Sequence, residues 1–143
     1  MLNLWRLMRW RGSATLRVPV LAILHLGYLW LITGTALLGL SQLQIGIPEV
    51  AAIHALTVGA MGTMVLGVMT RVSLGHTGRP LRAGWVTTLI YGLVNAAAFC
   101  RVVAAFSMTG RVALFDLSAG FWGAAFLLFV FRYGPMLVQP RVS

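Results

Sequence analysis

An all-α, polytopic membrane protein is the fold class that the sequence predicts: four transmembrane helices in an antiparallel bundle, with the N and C termini cytoplasmic. Three observations predict it. Hydrophobic residues make up 59% of the 143 and charged residues only 9%, whereas soluble domains are about one-quarter charged. Four apolar runs, at residues 18–40, 50–69, 84–105 and 112–131, each reach the roughly 20 residues that a spanning helix needs. They lack period-two alternation and exceed the length of a barrel strand, so they read as helices that satisfy their own backbone groups in lipid. The third observation is where the cations fall. The formal charge of +9 comes from arginines alone, without lysine. Arg6, Arg9, Arg11 and Arg17 precede the first run, Arg71, Arg79 and Arg82 fill the second connector, and Arg132 and Arg141 follow the last run. The positive-inside rule puts all three regions on the cytoplasmic side.

Each element follows in order within a single membrane domain, residues 1–143. The opening stretch LWRLMRWRG interleaves Trp5 and Trp10 with arginine, a pattern that anchors at an anionic leaflet of the lipid bilayer. This placement of the arginines argues against nucleic acid as a partner. The first helix, about 16–40, enters near Ala14 and tolerates Pro19 in its first turns. Its apolar run is too long for a signal peptide and lacks a small-residue cleavage site, so it is expected to stay attached.

The connector at 41–49 carries no cation and one acid, Glu49, and is expected to face outward. Pro48 and Glu49 suit the first turn of the second helix, about 48–70, which is expected to leave at Thr70 and Arg71. LGHTGRPLR follows at 74–82, where Gly75, Gly78 and Pro80 break regular structure and display His76 and Arg79. The third helix, about 84–106, turns through FSMTGRVALFD into the fourth, about 112–133, in so few residues that the two must be antiparallel neighbours. Gly134 and Pro135 are expected to end the fourth. Arg111 alone dissents from the charge asymmetry.

Ionisable groups within lipid need a reason, since each costs at least about 2.5–3.5 kcal/mol on insertion scales. At about 1.5 Å per residue, His54, Arg101 and Asp116 each lie roughly 25 Å from the cytoplasmic end of their helices. Three helices thus bring a histidine, a guanidinium and a carboxylate to one polar layer. Its plain reading is an Arg101–Asp116 ion pair with His54 merely hydrogen-bonded. Its functional reading makes His54 a metal ligand, oriented through its other nitrogen by Asp116 or a backbone carbonyl, with Arg101 meeting an anionic cofactor group such as a haem propionate.

His25 lies roughly 13 Å deeper than His54 along the membrane normal, so one haem held by both from a single chain is not expected. Met61, Met64 and Met69 offer soft sulfur to copper or to haem iron, although methionine commonly fills gaps. A lone Cys100 cannot form an internal disulfide, and no CxxCH attachment site occurs. With Glu49 and Asp116 the only acids, paired-carboxylate hydrolysis is excluded, and GAMG and GHTG lack the strand and lysine of a phosphate loop.

Three segments together, LAILHLGYLWL at 21–31, IHALTVGAMGTMVLGVMTRVSLGHTGRPL at 53–81 and FRYGPML at 131–137, resemble the carboxy-terminal part of the NnrS family of bacterial membrane proteins. The resemblance implies a haem- and copper-containing protein of the bacterial inner membrane, associated with nitric oxide metabolism, nitrosative stress and denitrification. It implies haem b, with copper as a second cofactor and NO as a ligand. It also implies that His25, His54, His76, Arg71 and Arg79 occupy motif positions. His54, His25 and His76 are thus the candidate metal ligands, and Arg79 and Arg71 join Arg101, Met61 and Met64, singled out by depth and chemistry, as candidate cofactor contacts. Family members are usually much longer, and this chain matches their final third. A homo-oligomer, with three copies restoring the usual helix number, follows as an expectation. The alternative function is a noncatalytic membrane assembly module whose buried polar layer packs helices.

Overall fold

A computed structural model describes residues 18–141. Trp5, Arg6, Arg9, Trp10, Arg11, Ala14 and Arg17, on which the interfacial anchor and the entry of the first helix were placed, lie outside the described residues. The described chain is all-helical: α1 (Pro19–Gln42), α2 (Glu49–His76), α3 (Trp85–Phe106) and α4 (Arg111–Leu137). All four are long and apolar enough to cross a bilayer. Large apolar side chains also point outward along them, with Met61 63%, Phe99 64% and Phe131 75% exposed. In water such a belt would drive aggregation; in lipid it is the solvated surface.

Helix α2 lies between α1 on one side and the α3–α4 pair on the other. Its seam with α1 is an antiparallel ladder of side chains seated on glycines. Ile23 meets Gly67, Met64 meets Gly27, Trp30 meets Gly59 and Leu56 meets Gly34. A Cβ at Gly27 or Gly59 would come within 2.7 Å of Met64 Cγ or 2.6 Å of Trp30 Cδ2, so the missing side chains set the approach of the helices. Lipid supplies no hydrophobic drive between helices, and this close packing is what holds them.

Helices α3 and α4 form a second extensive contact. Leu66, Ile90, Val94, Ala125, Phe129 and Tyr133 form the core they share with α2. Buried hydroxyls fasten the pair at two levels. Thr87 Oγ1 and the Tyr133 hydroxyl lie 2.6 Å apart, and Ser118 donates to the Ala97 carbonyl at 2.8 Å. The turn between them needs a left-handed residue, supplied by Gly110 at φ 76°.

Three features differ from expectation. Helix α2 does not leave at Thr70–Arg71 but runs to His76. What stops it is Gly78, not Gly75. With Gly78 at φ 73°, the Arg79 N–H bonds the Leu74 carbonyl at 3.0 Å and the Gly78 N–H bonds Gly75 at 3.3 Å, the paired closure of a Schellman motif. Thr77 adds its hydroxyl to the Ser73 carbonyl at 2.7 Å. Helix α4 likewise passes through Gly134 and Pro135 to Leu137, since a proline so near the C-terminus sacrifices a single ladder bond.

The third difference lies inside α2, where Ala55–Met61 forms a π-helix between α segments Glu49–His54 and Gly62–His76. There the Gly62 N–H reaches the Thr57 carbonyl, five residues back. The Thr57 hydroxyl donates to Ile53 at 2.7 Å, adding a bond where the ladder changes register.

Candidate functional site

Near the end of the bundle where α2 and α4 begin, His54 lies five positions after Glu49, Asp116 five after Arg111, and Arg101 five before Phe106. The residues occupy the same end, but their side chains do not form one cluster. Arg101 makes no ion pair with Asp116 among the described residues. Its guanidinium instead stacks over the Phe115 ring at 4.6 Å, with Arg111 on the same ring at 5.8 Å. Asp116 is exposed. One residue of helix, about 100° of rotation, separates it from Phe115 and turns the carboxylate away.

His54 is half-buried and close enough to Arg101 to feel its charge. Its ring has no hydrogen-bond partner among the described residues, so neither Asp116 nor a backbone carbonyl orients it. The chain turns into the π segment immediately after His54, and π turns recur at functional sites.

Beside this layer is an open groove of about 330 Å³ lined by Val58, Arg101, Ser118, Ala119, Trp122 and Gly123. Arg101 Nε is buried there without a hydrogen bond. Such a nitrogen leaves its desolvation uncompensated and is suited to a carboxylate or another oxyanion. Two indoles flank the π segment. Trp122 rests on Gly62, while Trp30 rests on Gly59 and donates from Nε1 to Asn95 Oδ1 at 2.8 Å. The Asn95 amide donates onward to the Tyr91 carbonyl at 2.8 Å.

Sequence reasoning overlooked Trp30, Asn95, Ser118 and Trp122. The glycines at 59 and 62 were its only available signal, since a side chain of such bulk needs a bare backbone opposite it.

The remaining candidates lie apart. His25 shares α1 with Ile23 and Gly27, which face α2, but sits two residues from each and so occupies the opposite side of that helix. Its Nδ1 is 3.0 Å from the Leu21 carbonyl. Met64 is spent on packing against Gly27, and Met61 faces outward beside Trp122 and Phe126.

His76 is exposed in the last turn of α2, separated from His54 by 22 residues of helix, roughly 33 Å. Arg71 is half-buried on the same stretch. Arg79 crosses to the end of α4, where its Nη2 donates to Gln139 Oε1 at 3.1 Å. Among the described residues no three His, Cys, Asp or Glu side chains converge as a metal-holding group.

A family profile described as NnrS protein covers residues 1–141. No curated protein and no solved structure matches the chain.

Proposed function

The chain belongs to the NnrS family, and from that premise we propose that it is a membrane protein of the nitric oxide and nitrosative stress response that binds haem b in the bacterial inner membrane. The observation that carries the proposal is the pairing of a hydrogen-bond-free His54 with the unpartnered buried Nε of Arg101. These fit a single-histidine attachment: His54 would meet the iron, and Arg101 a propionate. When bound, haem supplies an iron that takes NO as a ligand. The protein's part is to orient the imidazole from the π turn, neutralise the propionate and keep bulk water out with Trp122 and Phe115.

His25 and His76 lie too far from His54 to share that iron within one chain. Copper finds no ready set of ligands within the described residues of one chain, so its proposed site requires histidines from associated copies. A trimer is proposed because three copies of four helices restore the family's usual helix number. The topology that accompanies the proposal places the His76–Arg82 end, with both termini, in the cytoplasm.

The test is an optical spectrum, oxidised and dithionite-reduced, with metal analysis on protein purified in mild detergent from haem-replete cells. A Soret band with b-type reduced peaks that shifts with NO, and that is lost in His54→Ala but kept in His76→Ala, is the expected result. A preparation that stays colourless and metal-free after reconstitution sinks the proposal. One set of observations favours a second reading, a noncatalytic assembly module. The Trp30–Asn95, Thr87–Tyr133 and Ser118–Ala97 bonds all use intramembrane polar groups to join helices. Copurification of a stoichiometric membrane partner with colourless protein would put that reading first.

A further inference from the structure

The opposite end of the bundle holds a second polar site. Arg79 and Arg82 from the α2–α3 connector and Arg132 from α4 line one pocket of about 550 Å³, together with Gln139. Three guanidiniums lining one pocket repel one another, and no acidic side chain lies near enough to neutralise them. The chain's only acidic side chains are Glu49 and Asp116. Glu49 starts the helix that ends at His76, roughly 40 Å away along the axis, and Asp116 lies roughly 24 Å before Arg132 on α4.

Arg79 is fixed at two points. Its backbone N–H closes the Schellman motif on Leu74 and its Nη2 is held by Gln139, while its Nη1 is buried without any hydrogen bond. A guanidinium so immobilised, with one donor desolvated and unused, is an incomplete anion site. The rest of the wall is apolar. Leu74, Pro80, Pro135, Met136 and Phe131 form it, and Phe131 stands 75% exposed on the outer surface of α4.

We propose that Arg79, Arg82 and Arg132 bind a phosphate group, carried by an anionic phospholipid whose acyl chain runs down Phe131. Tetrahedral phosphate offers several acceptor oxygens to forked guanidinium donors arriving from different directions. The pocket sits where α2 and α4 end, the depth of a headgroup. A basic pocket between helix ends, with an apolar flank, is the arrangement that holds anionic headgroups in other membranes. Free inorganic phosphate presents the same oxygens and would use the same arginines, but not Phe131.

The test is a native mass spectrometry titration of the full chain in mild detergent with phosphatidylglycerol, phosphatidylcholine and inorganic phosphate. One phosphatidylglycerol per chain is expected to be retained in preference to phosphatidylcholine. Arg79→Ala should weaken it by about tenfold or more, the scale of one charge-assisted hydrogen bond. Arg132→Gln, at an exposed position that folding tolerates, should weaken it in the same direction if Arg79→Ala fails to fold. Arg111→Gln, at the other end, should not.

Phosphatidylglycerol that survives millimolar inorganic phosphate identifies the lipid as the source. Displacement by phosphate, with insensitivity to Phe131→Ala, assigns the site to free phosphate and overturns the lipid arm. Equal retention of the two lipids would show no selection for an anionic headgroup, and equal losses in Arg111→Gln and Arg132→Gln would show only a general charge effect; either result overturns the site itself.

Discussion

The Arg101 guanidinium lies 4.6 Å from the centre of the Phe115 ring and makes no ion pair with Asp116, the next residue along α4. A cation within a bilayer-length helix is therefore stabilised by an aromatic face, which gains strength when water is excluded. Phe115→Ala is expected to lower unfolding stability in detergent by about 2–4 kcal/mol, combining lost packing with the lost cation–π contact. Asp116→Asn should leave the thermal midpoint within about 1 °C, because an exposed group with no partner contributes little. Midpoints followed by tryptophan fluorescence would decide; a large loss in Asp116→Asn would restore the ion pair to the account.

The Thr87–Tyr133 bond joins α3 to α4 at 2.6 Å, and both residues are buried. Thr87→Val and Tyr133→Phe are each expected to cost about 0.5–2 kcal/mol, with a coupling energy of about 0.6–1.5 kcal/mol in the double-mutant cycle. Additivity within error would mean that the two hydroxyls do not depend on one another.

Gly59 seats Trp30 by its ring root, not by a flexible tip. Gly59→Ala should therefore displace the indole, break its 2.8 Å bond to Asn95 and cost about 1–3 kcal/mol, as overpacking does. A red-shifted tryptophan emission should accompany the loss. Unchanged emission and stability would mean that α1 can retreat without penalty.

Gly78→Ala tests the end of α2. At φ 73° an alanine carries a left-handed penalty of about 1–2 kcal/mol. The same change should loosen Arg79, whose N–H is part of that motif. Gly75→Ala, at a helical position with open space around it, should be neutral or stabilising by up to about 1 kcal/mol. The two midpoints measured side by side would reverse if Gly75 were the true stop.

The number and span of the helices were legible because bilayer thickness imposes a length that composition reveals directly. Their ends were less legible, for a local reason. Gly75 and Gly78 look alike in sequence, and only the second takes the left-handed conformation that lets the following Arg79 N–H close on Leu74. The level of His54, Arg101 and Asp116 could be obtained from residue counts, since rise per residue is nearly constant. Their grouping could not, because azimuth depends on packing. Phe115 presents its ring where Asp116, one position on, presents a carboxylate to the outside. His25 illustrates the same limit, occurring at a plausible depth on the side of α1 away from α2. The π turn had no sequence signature beyond the small residues that tolerate it.

Seven residues of wider winding, Ala55–Met61, separate the two α segments of α2. The two segments are thus out of phase, and no single helical wheel describes the span. That phase offset lets Gly59 present bare backbone to Trp30 of α1 while Gly62, only three residues later, presents it to Trp122 of α4. Chain length and angle are consequently not interchangeable in this helix. Removing one residue from the segment would let it rewind as ordinary α-helix, whose tighter turns bring His54 to nearly the same heading with one residue fewer. What would be lost is the extra width of the turn that sets Gly59 and Gly62 against different neighbours.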